Sequence, residues 1–298
     1  VFDKFYNNGI NNKYTKSLHS SSRCNAYCGV YYRRISLYYL KHRTLKRVDI
    51  LFVMILGALW GSFANVCIYR LPDEKNVVSG RSYCPNCKNS IVWKDNIPII
   101  SFFKLKAKCR NCYYKIPVQY LLVEILSLFS FALIYFLFGI SLTTLFFWIL
   151  YLSFVIIFFI DIKHFIIPNV ITFPLMALGI LKSFDPNLSY LFPNFINSLI
   201  GGALGYGVIF SIIYFYKQVR KKEGMGLGDA KLFAVIGFWF GWISIPFIIF
   251  LSSVIALISV IPSLLKSSKQ MSSEIPFGPY IIIATIIFVV FKDSMIDF

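Results

Sequence analysis

The sequence predicts an all-α polytopic membrane protein with about eight transmembrane helices. Two observations support this fold class. Hydrophobic residues make up 57% of the 298 residues and charged residues only 14%, against roughly 25% charged in a typical soluble domain. The hydrophobic residues are also gathered into runs of about 20, the length that a helix needs to cross a bilayer. A chain of this composition cannot cover a water-facing surface, so a soluble protein is excluded.

The predicted spans follow these apolar runs in chain order. The fourth run contains Pro174, and the sixth and seventh are separated only at Trp242–Pro246. Eight crossings is therefore the prediction and seven the alternative. The eight runs cover residues 50–69, 118–138, 141–160, 170–187, 195–216, 230–245, 246–265 and 278–292.

The distribution of positive charge predicts the orientation of these spans. Lys and Arg outnumber Asp and Glu by 30 to 13, which gives a net charge of +17. The basic residues are concentrated in residues 70–115, 217–222 and 266–269, which follow the first, fifth and seventh spans. Basic loops remain in the cytoplasm, so both termini are expected outside it. Because the charge lies between apolar runs, a nucleic-acid binder is a poor interpretation.

Residues 1–47 do not fit this orientation, because they carry ten Lys or Arg and would be exported. They also lack a sustained apolar run of the signal-peptide type. We expect this arm to be disordered or poorly packed, and to precede a natural start near Val48 or Met54. The remaining chain is then divided into a first transmembrane helix (48–69), a cytoplasmic cysteine loop (70–117) and a transmembrane core (118–298).

Four cysteines in the large loop form two CxxC pairs separated by 21 residues: Cys84 and Cys87, then Cys109 and Cys112. Each pair can present two thiolates to one metal, and two pairs complete a tetrahedral site. Disulfide bonding is the alternative, but it is disfavoured in a reducing cytoplasm. We therefore predict a zinc-ribbon-like insertion that holds a structural Zn²⁺ ion, with no open position for water.

Two acidic residues occupy positions that are costly for a membrane protein. Asp161 ends the apolar run 154–160, and Asp229 directly precedes the run 230–242. Two crossings separate them, so both are expected on the cytoplasmic side. Paired carboxylates can share one proton, so that one activates a water while the other donates to the attacked carbonyl. The alternative is that each acid merely terminates its helix; for the two together we favour catalysis.

Three glycines precede the second acid within five residues, at Gly224, Gly226 and Gly228. Glycine lets the backbone or a substrate approach closely, and the run matches neither a Walker nor a Rossmann phosphate loop. Glu124, near the start of the second span, has a weaker indication: it is expected to snorkel or to pair with a basic residue. The sequence contains no HExxH or GxSxG motif, which argues against zinc-protease and serine-hydrolase chemistry.

An ordered set of motifs resembles the type IV prepilin peptidases, bacterial members of the GxGD group of membrane aspartyl proteases. The resemblance runs from about residue 61 to residue 280. Its motifs are Gly61–Pro72, the two CxxC pairs, Asn96–Ser101, Tyr120–Glu124, the segment beginning at Asp161, Gly226–Asp229 with Lys231, and Pro276–Tyr280.

The resemblance implies a bifunctional enzyme of the bacterial inner membrane. It would cleave the leader from type IV prepilins or pseudopilins at the cytoplasmic face and then N-methylate the new amino terminus with S-adenosylmethionine. Asp161 and Asp229 would be catalytic, with Gly226, Gly228 and Lys231 supporting the active-site loop. The cysteine loop is that of the bifunctional members, whereas residues for the methyl donor are not indicated.

Two other interpretations stay open. A non-proteolytic, ion-coupled transporter could use the acids for coupling and the cysteine ribbon for assembly, but it predicts acids near the bilayer midplane between repeated halves. A related GxGD peptidase could act on another class of secreted precursor. Neither the oligomeric state nor the pilus or secretion system served follows from the sequence.

Overall fold

The computed structural model describes residues 47–78, 81–184, 192–221, 225–266 and 275–296. Apart from Arg47, the predicted basic arm lies outside these residues. Within the described ranges the structure is helical, and its β-structure consists of isolated bridges alone. The predicted all-α fold class is confirmed.

Nine α-helices lie within the described residues. All but the short α2 coincide with the predicted spans, because the apolar runs determine which segments become helices. The helices are α1 (Arg47–Arg70), α2 (Ile100–Lys104), α3 (Val118–Phe138), α4 (Leu142–His164), α5 (Asn169–Lys182), α6 (Phe195–Arg220), α7 (Leu227–Phe240), α8 (Ser244–Lys266) and α9 (Gly278–Ile296).

Helix length separates these helices into two groups. Five described helices, α1, α3, α4, α6 and α8, are long and apolar enough to cross a membrane. By contrast, α5 and α7 have 14 residues each, or about 21 Å at 1.5 Å per residue, which is less than the ~30 Å hydrocarbon core. A polytopic architecture is thus established, and eight crossings remains a prediction.

The predicted ends of several spans were wrong by about one helical turn. The two most important differences are at the helix ends that carry the acids. Helix α4 continues through Asp161 to His164, and α7 begins at Leu227, so that both acids lie within helical turns. The physical reason is that backbone hydrogen bonding ends at a cap rather than at the end of an apolar run. For α4 that cap is Phe165, whose φ is +56° and whose N–H donates to the Asp161 carbonyl over 2.9 Å.

Two further boundaries differ for similar reasons. The predicted span 170–187 ends earlier, because α5 stops at Lys182. The break between the sixth and seventh spans lies at Gly241, whose φ of +81° favours glycine. Pro246 falls in the first turn of α8, where proline displaces no helical hydrogen bond.

Helix α7 lies at the centre of the fold. Residues on every side of it are buried, as expected for a helix that is apolar all round. Its neighbour α6 approaches closely through glycines, and a Cβ added at Gly237 would overlap the carbonyl oxygen of Gly201. At the far end of α7, the buried Lys182 donates to the Trp239 carbonyl over 3.0 Å. The short helix is therefore enclosed by protein.

A second, smaller cluster joins α1, α3 and α4. We call it the α1–α3–α4 wall. Its buried members are Ala64, Cys67, Ile68, Val123, Val155, Ile156 and Ile160. The last of these directly precedes Asp161, so the wall supports the end of α4 that carries the first acid.

The α6–α7 contact predicts the effect of a single methyl group. We expect Gly237→Ala to destabilise the protein by about 1–3 kcal/mol, because the added Cβ would displace a backbone that cannot easily move. The matched control is Gly207→Ala, whose Cβ would meet nothing within 4 Å and whose helix propensity improves by up to about 1 kcal/mol. Thermal unfolding of the detergent-solubilised protein measures both; equal unfolding temperatures for the two variants would contradict the packing.

Candidate active site

Asp161 lies in the last turn of α4 and is held by a different helix. Its side chain is only 4% exposed, and its Oδ2 accepts the backbone N–H of Gly278 over 2.9 Å. Gly278 begins α9, where the first N–H groups have no partner within the helix. A helix N-terminus favours an anion, so α9 stabilises a carboxylate that would otherwise be buried among apolar side chains.

This contact explains why residue 278 is glycine. A Cβ at Gly278 would lie 2.7 Å from Oδ2 of Asp161 and 3.4 Å from Cδ1 of Ile167. The first distance is too close for an unshifted side chain, whereas the second is an ordinary van der Waals contact. The sequence motif contained Gly278, but nothing in the sequence indicated that its amide contacts an acid 117 residues earlier.

Asp229 lies in the first turn of α7 and is 7% exposed. Its backbone N–H donates to the Gly226 carbonyl over 3.1 Å, and Gly226 is the extended residue that precedes the helix. A Cβ at Gly228 would lie 3.0 Å from Cβ of Ile167. Glycine here lets the segment after α4 pack against the start of α7.

The structure brings the two acids into one site. Ile167 approaches both Gly278 and Gly228, which contact or adjoin the two acids. Gly278 donates its N–H to Asp161 and Gly228 directly precedes Asp229, so the shared neighbour Ile167 places the two acids on the same side of the bundle. Asp161 and Asp229, predicted from their position relative to apolar runs, therefore converge at the ends of α4 and α7.

Lys231 forms a hydrogen bond with the first residue of α5. Its Nζ donates to Oδ1 of Asn169 over 2.7 Å and lies 5.7 Å from the Phe173 ring centroid. Asn169 begins α5, so this lysine links α7 to α5. Of the glycine run, Gly226 and Gly228 adjoin Asp229, whereas Gly224 lies outside the described residues.

The four predicted cysteines also come together. The Sγ atoms of Cys84, Cys87, Cys109 and Cys112 all lie within 4.8 Å of one another. The Sγ atoms of Cys84 and Cys112 are 3.7 Å apart, close to the ~3.8 Å between two ligands at 2.3 Å from a tetrahedral metal. A disulfide requires about 2.05 Å, so the free thiols fit a metal-ligand set.

The cysteine cluster consists of two copies of one turn. The first cysteine of each pair donates its N–H to a carbonyl five residues later, Cys84 to Asn89 over 3.0 Å and Cys109 to Tyr114 over 2.9 Å. The residue after each second cysteine, Lys88 or Tyr113, has a φ near +57°. In the second copy, the Tyr114 backbone N–H is the largest of several hydrogen bonds that lower the pKa of the Cys112 thiol to about 6, whereas burial and the neighbouring thiols raise the pKa of Cys87 to about 11.

Two arginines hold the rest of this loop. Arg110 forms a two-pronged ion pair with Asp95, with hydrogen bonds of 2.6 and 2.5 Å, and it keeps the pKa of Asp95 below its usual value. Arg70, buried at the end of α1, donates to the carbonyls of Asn76 and Arg81 over 3.0 and 3.1 Å. Sequence reasoning missed both of these contacts.

The basic partner expected for Glu124 does not occur among the described residues. One carboxylate oxygen of Glu124 instead accepts the backbone N–H of Ile99 over 2.7 Å, and the Ser62 side chain is a second partner. The expectation was wrong because Glu124 turns inward beneath the loop instead of reaching the surface. The motif Tyr120–Glu124 indicated Glu124 in the sequence, but nothing in the sequence predicted its hydrogen bond with Ile99 in the loop.

Two family models match consecutive parts of the chain. The bacterial peptidase A24 N-terminal domain matches residues 55–138, and the type IV leader peptidase family matches residues 148–261. The second match contains both acids. The chain belongs to the type IV leader peptidase family. No solved structure matches the chain.

Three curated relatives of this leader peptidase family member are named prepilin leader peptidase/N-methyltransferase. The Aeromonas hydrophila protein is 34% identical over 82% of this chain and 91% of its own length. The Pseudomonas aeruginosa protein is 32% identical over 83% and 91%. The Vibrio cholerae protein is 34% identical over 82% and 97%. The similarity therefore covers nearly the whole of each relative.

The geometry of the cysteine cluster predicts tetrahedral metal binding. We expect the protein loaded with Co²⁺ to show thiolate-to-metal charge-transfer absorption, and Cys112→Ser to weaken it because one ligand is lost. The matched control is Cys67→Ser, since Cys67 is buried in the α1–α3–α4 wall, away from the cluster. An unchanged spectrum in Cys112→Ser would contradict the four-thiolate site.

Proposed function

We propose that this chain is a membrane aspartic endopeptidase that removes the leader from type IV prepilins or pseudopilins. Asp161 and Asp229 are the catalytic pair, and Gly226, Gly228 and Lys231 support the loop around Asp229. The observation that carries the proposal is the convergence of these two buried acids. The names of the curated relatives indicate the substrate class.

The pair can hydrolyse a peptide without a covalent intermediate. One carboxylate takes a proton from water, whose oxygen attacks the scissile carbonyl carbon, while the protonated partner donates to the carbonyl oxygen. The C–N bond then breaks, and its nitrogen takes up a proton to leave as the amine. Because the acids interact, they titrate as a pair.

The depth of the site suits this substrate. Asp161 is near the end of α4 and Asp229 near the start of α7, so the acids lie at helix ends. A prepilin has a basic leader followed by an apolar helix, and its scissile bond lies where water meets lipid. We propose that the enzyme occupies the inner membrane with this site at the cytoplasmic face.

Methylation of the new amino terminus is the second proposed activity, supported by the relatives' names. S-adenosylmethionine supplies a methyl group on a sulfonium sulfur, which keeps the C–S electron pair when the amine nitrogen takes the methyl. The chain is organised as a first transmembrane helix (48–69), a loop domain (70–117) and a peptidase core (118–298). The four clustered cysteines of the loop domain would hold a structural Zn²⁺ ion as thiolates. An ion-coupled transporter is disfavoured, because the acids lie at helix ends.

Separate substitution of the two acids tests the catalytic pair. We expect Asp161→Asn and Asp229→Asn each to lower prepilin cleavage by at least about 10²–10⁴-fold, because either change removes a proton-transfer group. The matched control is Asp73→Asn, which alters an exposed acid paired with Lys75 and should retain activity. Mass spectrometry of a co-expressed prepilin measures both cleavage and methylation; full cleavage by either catalytic-pair variant would refute the dyad.

The amide of Gly278 provides a second test. Gly278→Ala would push the Asp161 carboxylate away by crowding Oδ2, and a misplacement of about 1 Å can cost roughly a hundredfold in rate. We expect a loss of that size in kcat. Gly207→Ala, which meets no neighbour, is the matched control. Equal kcat values for the two variants would show that the amide does not position Asp161.

A further inference from the structure

A buried lysine lies at the end of α7 that is remote from the acids. Lys182 is the last residue of α5 and is 1% exposed. Its Nζ donates to the Trp239 carbonyl over 3.0 Å, and it lies 4.2 Å from the Phe192 ring centroid and 5.4 Å from the Trp239 ring centroid. A buried charge in a membrane protein is costly and usually serves a function. Neither cleavage nor methylation, as proposed above, uses this lysine.

The last carbonyls of α7 are bound by three different parts of the chain. The final four carbonyls of a helix have no N–H partner within it, and burying such groups without partners is costly. The carbonyls of residues 237, 238 and 239 accept hydrogen bonds over 2.8, 2.7 and 3.0 Å from the Gly241 N–H, the Ser198 hydroxyl and the Lys182 ammonium, respectively. We call these three donor residues the α7 C-terminal cap.

This cap and Asp229 lie at opposite ends of one short helix. Asp229 lies in the first turn of α7 and Trp239 in the last, which places them about 15 Å apart along the axis at 1.5 Å per residue. A helix carries partial positive charge at its N-terminus and partial negative charge at its C-terminus. The Asp229 carboxylate and the Lys182 ammonium therefore each lie at the end of α7 that favours their charge.

Helix α5 is joined to α7 at both of its ends. At the acid end, Lys231 of α7 donates to Asn169, the first residue of α5, over 2.7 Å. At the remote end, Lys182, the last residue of α5, donates to the last turn of α7. The two helices have 14 residues each, and these two contacts show that they run in the same direction. Helix α5 therefore fixes the position of α7 along its axis.

We propose that Lys182 is a positioning residue, which sets the depth of Asp229 in the bundle by holding the opposite end of α7. A helix is a rigid element that transmits a displacement from one end to the other, and a misplacement of about 1 Å can cost roughly a hundredfold in rate. The catalytic consequence rests on the proposed function. The lysine itself does not touch the acids, because the length of α7 separates them.

Steady-state cleavage of a prepilin by the full-length protein in nanodiscs tests this role. We expect Lys182→Met to lower kcat at least about tenfold, because Asp229 is displaced from the scissile bond. KM should change by less than about twofold, because the surface that binds the substrate remains. A lysine that only stabilised the fold would lower the unfolding temperature and leave the kcat of the folded enzyme unchanged.

The matched control is Thr144→Val, which lies at the same end of the bundle. Thr144 is 2% exposed, and its Oγ1 donates to the Gly139 carbonyl over 2.6 Å. The change therefore also removes a buried hydrogen bond to a backbone carbonyl, but one that joins α4 to the turn before it. We expect its kcat to be unchanged. Equal losses of kcat in the two variants would overturn the positioning role.

Hydrogen–deuterium exchange tests the same role without a substrate. In Lys182→Met we expect faster amide exchange both in residues 236–241, beside the cap, and in residues 227–233, around Asp229. Thr144→Val should alter neither segment. Faster exchange confined to residues 236–241 would overturn the proposal, because the disturbance would not reach the acid. An unsubstituted enzyme that cleaved no prepilin would overturn the proposed function instead, and the exchange result would still decide this inference.

Ser198→Ala keeps the proposal testable if Lys182→Met does not elute as a monodisperse, folded protein. It removes the neighbouring donor of the same cap and leaves every charge in place. We expect kcat to fall at least about threefold with KM unchanged, because the same end of α7 is loosened. An unchanged kcat, with unchanged exchange in residues 227–233, would show that the cap does not position Asp229.

Discussion

The structure depends on keeping two interacting carboxylates buried among apolar helices. Such burial is costly unless each group is hydrogen-bonded or lies in a favourable field. The fold meets this requirement with helix N-termini, since Asp161 accepts the first N–H of α9 and Asp229 lies in the first turn of α7. Both arrangements need close approach, which explains glycine at positions 228 and 278. The short, enclosed α7 carries one of the two acids into this position.

The cysteine loop has few buried apolar side chains of its own, so other interactions must hold it together. Its β-structure, within the described residues, is limited to the bridges Tyr83–Ser90 and Lys108–Lys115. The cluster of four cysteine Sγ atoms and the Asp95–Arg110 ion pair bring the two halves of the loop together instead. In small metal domains the binding free energy contributes directly to folding.

One packed cluster joins the helices beside the cysteine loop to the helix that carries the first acid. The α1–α3–α4 wall includes Ala64, next to Asn65, and Val123, next to Glu124, and it also includes Ile160, next to Asp161. This packed cluster therefore links the part of α1 and α3 that adjoins the cysteine loop to the end of α4 that carries Asp161.

The sequence alone determined the fold class, the helical segments, the metal-ligand set and the two acids, because hydropathy and motif spacing are local properties that a single sequence displays. The tertiary structure decided how far α5 and α7 extend, that Gly278 donates to Asp161, and that Glu124 binds a strained loop turn. The two hydrogen bonds join residues that are 117 and 25 positions apart in the sequence. Packing between membrane helices depends on the fit of small residues and on individual hydrogen bonds. Apolar runs of similar hydropathy do not specify which helix faces pack together.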